Sequence, residues 1–168
     1  MLTELTPKVI AYLGHKEGLT TEAYKDSVGV WTWGLGVTNS SGHNIDKYKD
    51  HPSQLQEAID VSVWLVREKY FPAVQKAFPD LNEAQAAAAL SFHWNTGAIS
   101  KVAGNFSKAV QWKRPASLVA RREEEQDLFF RGVWPKNLLC PLYPVNKPSY
   151  SPAFGKAKLI DITALIKI

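Results

Sequence analysis

Cysteine is nearly missing from this chain: Cys140 is the only one in 168 residues. An internal disulfide is thereby excluded, and no thiol pair is left for a zinc site. The four histidines, His15, His43, His51 and His93, show no H-E-x-x-H or comparable ligand spacing, so no metal and no other cofactor is expected. No run approaches the roughly 18 apolar residues of a membrane-spanning helix, so membrane insertion is not expected. The opening M-L-T-E-L-T-P-K has an acidic residue and a proline where a secretory leader has a basic start and an apolar run. Export by the usual route is therefore not expected. Runs of one charge are missing too, since Arg121-Arg122 is followed at once by Glu123-Glu124-Glu125. Despite a net charge of +4, no basic stripe interleaved with aromatics exists, and nucleic acid is not an expected partner.

What is present fits one soluble globular domain: 45% hydrophobic residues, 21% charged, and six Trp, six Tyr and seven Phe to fill a core. No linker or repeat divides the chain. Thr6-Pro7 opens a helix with apolar Val9, Ile10 and Leu13, and Gly18 stops it. Ala23–Asp26 and Val30–Trp33 read as a hairpin around Ser27-Val28-Gly29, and Gly34-x-Gly36 as a bend or a close backbone approach to a ligand. Ser53-Gln54-Leu55-Gln56 reads as a capping box for a helix that Pro72 interrupts near Tyr70-Phe71. Asp80–Glu83 reads as a second box, opening an alanine-rich helix from Ala84 to Trp94 that is apolar around most of its girth. A shorter helix is expected near Asn105–Trp112. Another runs from Ser117 to Phe130, with Leu118, Val119, Ala120, Leu128 and Phe129 inward and Arg121 or Arg122 paired with Glu125. The tail after Trp134 is proline-rich and irregular, and Leu159–Ile168 fits a short helix or a strand equally.

The chemistry concentrates between Glu17 and Val37. Glu17 closes the first helix, Asp26 follows nine residues later, and Thr32 six after that on the second strand. A helix C-terminus disfavours an ionised carboxylate, the setting of a proton donor. A protonated acid facing an ionised carboxylate is the equipment of glycosidic bond cleavage. By residue type alone, surface carboxylates and a strand threonine serve equally as ordinary hairpin decoration, and the aromatic neighbours Tyr24, Trp31 and Trp33 as core. Neither a nucleophile elbow nor a dinucleotide fingerprint competes.

The order E-G at Glu17-Gly18, Y-K-D at Tyr24–Asp26 and T-W-G-L-G at Thr32–Gly36 resembles the catalytic signature of the phage-type lysozymes, the muramidases of glycoside hydrolase family twenty-four. Two further blocks are similar to that family: S-F-H-W-N-T-G at Ser91–Gly97, and R-R-E-E-E-x-x-L-F-x-x-G from Arg121 to Gly132. The resemblance implies an α+β, lysozyme-like fold with a cleft between a small β-hairpin lobe (about 18–52) and a larger helical lobe (1–17 and 53–134), and 135–168 as a tail. It implies hydrolysis of the β-1,4 bond between N-acetylmuramic acid and N-acetylglucosamine in bacterial peptidoglycan, with Glu17 as general acid and Asp26 with Thr32 positioning water. Asn95, Trp33 and His93 become the expected substrate contacts. It also implies an endolysin, monomeric, accumulating in the host cytoplasm and reaching the periplasm by holin-dependent release. Many members carry His after G-x-G where this chain has Val37. The rival readings are a lytic transglycosylase on the same fold and a non-catalytic wall-binding protein.

Overall fold

The computed structural model describes residues 3–168. They fall into two compact units. One comprises Gly14–Leu65 with Leu138–Lys167; the other comprises the described residues up to Leu13, Val66–Asn137 and Ile168. In this division the last turn of the first helix, the helix after Ser53 and the tail group with the hairpin.

The last turn of helix α1 (Pro7–Glu17) belongs to the hairpin unit and ends at Gly18, which has φ +73° and sends its N–H to Gly14 O at 2.8 Å. Glycine is required there twice, by the left-handed backbone and because a Cβ would come within 2.2 Å of Tyr143 Cε2. Strands β1 (Thr20–Lys25) and β2 (Trp31–Gly34) pair antiparallel, Tyr24 opposite Thr32, with an irregularity between Thr20 and Tyr24. Trp33 fills the core beneath them, fully buried, stacked on Tyr48 at 3.9 Å, with its indole N–H on Thr21 O at 3.0 Å. The Tyr48 hydroxyl donates to Glu57 at 2.6 Å, which leaves it to accept from His43 Nε2 at 2.9 Å. Burial lowers the His43 pKa, in keeping with a neutral, donating ring.

Helix α2 (Leu55–Leu65) explains Gly34: a Cβ there would meet Ser62 Oγ at 2.6 Å. The close approach at this glycine is thus to a helix, where the sequence suggested a ligand. Val37, the residue after G-x-G, is fully buried and exchanges both backbone hydrogen bonds with Trp33 at 2.8 Å. The capping box expected at Ser53 does not form. Its hydroxyl donates to Gln54 O at 3.0 Å and accepts the Trp33 indole at 3.3 Å instead.

The tail is ordered into β3 (Cys140–Leu142), antiparallel to β4 (Lys158–Ile160), and 3-10 turns at Phe154–Lys156 and Thr163–Leu165. The closing segment is therefore a strand followed by a helical turn. Leu19 bridges to Leu142 in parallel, its N–H on Pro141 O at 2.8 Å and its carbonyl accepting from Tyr143 N at 3.0 Å. Cys140 and Ile162 are buried against Gly14, where a Cβ would lie 3.3 and 3.1 Å from their side chains. Lys147 holds Glu22 at 2.8 Å and Asp50 at 2.7 Å, and the Tyr150 ring meets Trp31 edge-on at 4.9 Å.

In the helical unit, a π-helical turn at Val66–Tyr70 leads into α3 (Phe71–Ala77). Pro72 cannot donate to the carbonyl four residues back, which accounts for the interruption expected there. Helix α4 (Glu83–Thr96) is capped reciprocally by Asn82 and Gln85 at 2.9 and 3.0 Å, two residues later than the expected Asp80 cap. Ala86 through Phe92 are all buried. Phe106–Gln111 forms a 3-10 helix.

Helix α5 (Val119–Arg131) turns Leu128 and Phe129 inward as expected, but not Leu118, Val119 or Ala120. Val119 is exposed, and Arg122, Glu125, Leu128 and Phe129 are buried. The stripe is helical in spacing but begins with an ion pair: Arg122 Nε lies 2.7 Å from Glu125 Oε1, and Arg121 Nε lies 3.4 Å from Oε2. The Ser91 hydroxyl donates to the same carboxylate. Burial raises the Glu125 pKa, opposed by Arg122, Ser91 and Arg121. A pattern that counts only apolar residues misses such a stripe.

Candidate active site

Gly18 ends α1 and leaves Glu17 at the C-terminal tip of that helix, half-buried. The hairpin then delivers Asp26 at the start of its turn. One oxygen, Oδ1, accepts N–H groups from Val28 at 3.0 Å and Val30 at 2.8 Å. The aspartate is therefore a rigid part of the turn, oriented by backbone donors rather than free on the surface.

Glu17 and Asp26 line one pocket of about 440 Å³, all of whose walls belong to the hairpin unit. Tyr24 lines it as well, and its hydroxyl pKa is pushed up to about 12 by burial first, then by the negative charges of Glu17 and Asp26. Burial and Glu17, among other charges, raise Tyr143 in the same direction.

Thr32 is not among the residues lining that pocket; it stands opposite Tyr24 on β2, on the strand face that carries the Tyr24 side chain. It is 5% exposed and donates to Val30 O at 3.0 Å, so its lone pairs remain available to a second donor. Thr20, a further wall residue, is buried with no hydrogen-bond partner for its hydroxyl among the described residues.

The remaining sequence candidates fall elsewhere. Trp33 has no exposed surface and belongs to the hairpin core, so it offers no face to a sugar. His93 and Asn95 lie on α4, in the helical unit. His93 is half-buried, its pKa lowered by burial, with Nδ1 near Ile99 N at 3.4 Å, and Asn95 is exposed. Sequence reasoning missed Thr20 and the tail residues Tyr143, Ser151, Pro152 and Phe154 in the pocket wall. The one available signal was aromatic residues set among prolines, in L-Y-P and S-P-A-F. Among the described residues no group of His, Cys, Asp and Glu gathers as a metal site, and no helix is long and apolar enough to cross a membrane.

Two carboxylates from separate elements around one pocket can deliver a proton to one side of a bond and hold a nucleophile or a water at the other. Comparison with known proteins bears on that chemistry. The chain is similar to the solved structure of an endolysin from Escherichia coli O157:H7 phage FAHEc1, at 26% identity and TM-score 0.62, over 80% of this chain and 98% of that one. It shares its fold with the muramidase domain of SpmX from Asticaccaulis excentricus, at 21% identity and TM-score 0.58, over 76% and 97%. A P22 lysozyme point mutant matches at 22% identity and TM-score 0.56, over 76% and 99%. A comparison with proteins of curated function gave no significant match. The phage lysozyme family matches residues 14–125, which include Glu17, Asp26 and Thr32, and the chain belongs to that family.

Proposed function

We propose that this chain is an endolysin that hydrolyses the β-1,4 bond between N-acetylmuramic acid and N-acetylglucosamine in bacterial peptidoglycan. The observation that carries this reading is the shared pocket of Glu17 and Asp26. Glu17, at the negative end of α1, is the general acid that protonates the leaving glycosidic oxygen. Asp26, fixed through Oδ1 by Val28 and Val30, keeps Oδ2 for the attacking water, which it orients and deprotonates as bond cleavage proceeds. Thr32 accepts a hydrogen bond from that water while donating to Val30 O. The assignment rests on residues of the hairpin unit alone.

A role for Asp26 in holding water favours hydrolysis over the transglycosylase reaction, which forms an anhydro-sugar without water. Action as a monomer in lysis of the host, with holin-dependent passage from the cytoplasm to the wall, belongs to the same proposal. Mass spectrometry of muropeptides released from purified peptidoglycan tests it. New reducing-end N-acetylmuramic acid is expected from the intact chain and none from Glu17→Gln. Anhydro products, or equal release by both, would refute the assignment.

A further inference from the structure

The pocket that holds Glu17 and Asp26 has one wall lying wholly beyond the family match, made by Tyr143, Ser151, Pro152 and Phe154. Phe154 is 68% exposed. A solitary exposed apolar residue ordinarily carries no meaning. This one differs in its place and its support. It shares the pocket with both carboxylates, and its ring meets Tyr143 edge-on at 5.0 Å and 76°.

Tyr143 in turn is fixed. Its N–H is on Leu19 O at 3.0 Å, and its ring lies where only glycine fits at position 18, directly after Glu17. The segment bearing Phe154 is also fastened, by Ala153 N to Pro144 O at 2.8 Å and Lys156 N to Ala153 O at 3.0 Å. A fixed aromatic pair costs little ordering when it binds a ligand, and large rigid rings are the side chains that anchor ligands most often.

We infer that Phe154, backed by Tyr143, is a stacking platform for a sugar ring of the peptidoglycan glycan strand. One face of a hexosamine ring presents C–H groups, apolar and slightly positive, which complement the negative face of an aromatic ring. The platform rests on the muramidase reading of Glu17 and Asp26. It adds that the tail, by way of Phe154, contributes to affinity for the glycan. Phe154 would then be a binding residue that raises affinity without entering the bond-breaking step.

The experiment uses the full chain carrying Glu17→Gln, so that substrate is bound and not cleaved. Calorimetry measures the Kd for a soluble tetrasaccharide of alternating N-acetylglucosamine and N-acetylmuramic acid. Adding Phe154→Ala is expected to weaken binding about tenfold, which corresponds to about 1.4 kcal/mol. Phe154→Leu, apolar but without a ring face, is expected to weaken it equally, and Phe154→Tyr to retain it. The melting temperature should hold in all three, because the side chain is largely exposed. An unchanged Kd in Phe154→Ala, full affinity in Phe154→Leu, or no tetrasaccharide binding at all overturns the platform. Release of reducing ends by the chain with Glu17 intact is scored separately. Its failure alongside Phe154-dependent binding would strike the hydrolytic reading and leave the platform standing.

Discussion

Asp26 Oδ1 accepts the Val30 N–H at 2.8 Å, closing the hairpin turn with the same side chain that lines the pocket beside Glu17. Structure and chemistry at this residue are therefore separable by substitution. Asn keeps an oxygen for the Val28 and Val30 donors but loses the charge, whereas Ala loses both. Both variants are expected to lose about 10²-fold or more in peptidoglycan hydrolysis. Only Asp26→Ala should also lose stability, by about 1–2 kcal/mol for its two backbone hydrogen bonds. Turbidity clearance paired with urea denaturation reads the two effects independently.

The Arg122–Glu125 pair gives a prediction about stability alone. Both side chains are almost fully buried, so removing one partner strands the other's charge away from water. Glu125→Ala or Arg122→Ala is expected to cost about 3–5 kcal/mol. The double variant Arg122→Met with Glu125→Leu should lose less than Glu125→Ala alone, since only Arg121 and the Ser91 hydroxyl, and no longer Arg122, are left without the carboxylate. Denaturant midpoints of the three proteins check this.

Stability should also fall on acidification through histidine. Burial holds the pKa values of His43 and His93 below the ordinary 6.5. As pH drops through 6.5 the unfolded chain takes up protons that the folded chain refuses, so unfolding becomes easier until the folded pKa is reached. Unfolding free energy measured from pH 8 to pH 5 is expected to decline below about 6.5, and His93→Gln should flatten part of that slope.

These residues also show how far the sequence could be read. The places of Glu17, Asp26 and Thr32 in the fold were legible because each sits at a punctuated point of the chain: a glycine helix stop, a turn and a strand. Hairpin and alanine-rich helix followed from local pattern for the same reason. Trp33 was ambiguous because an aromatic on a hairpin strand can face the pocket or the core, and strand parity alone does not say which face is buried. The Arg122 and Glu125 half of the inward face of α5 was hidden because it is charged. The tail was opaque because its order comes from backbone pairing with Leu19 and from Lys147 reaching Glu22 and Asp50, more than 90 residues away in sequence. Phe154 entered the pocket wall by the same long-range route.

The central claim is that Glu17 supplies the proton that breaks a glycosidic bond, and its most direct measurement is the muropeptide profile of Glu17→Gln beside the unmodified chain. Gln is nearly isosteric, has no acidic proton, and should leave fold and tetrasaccharide binding in place. The account predicts reducing-end muropeptides from the unmodified chain and none above background from Glu17→Gln. Undiminished release by a folded Glu17→Gln protein would contradict it.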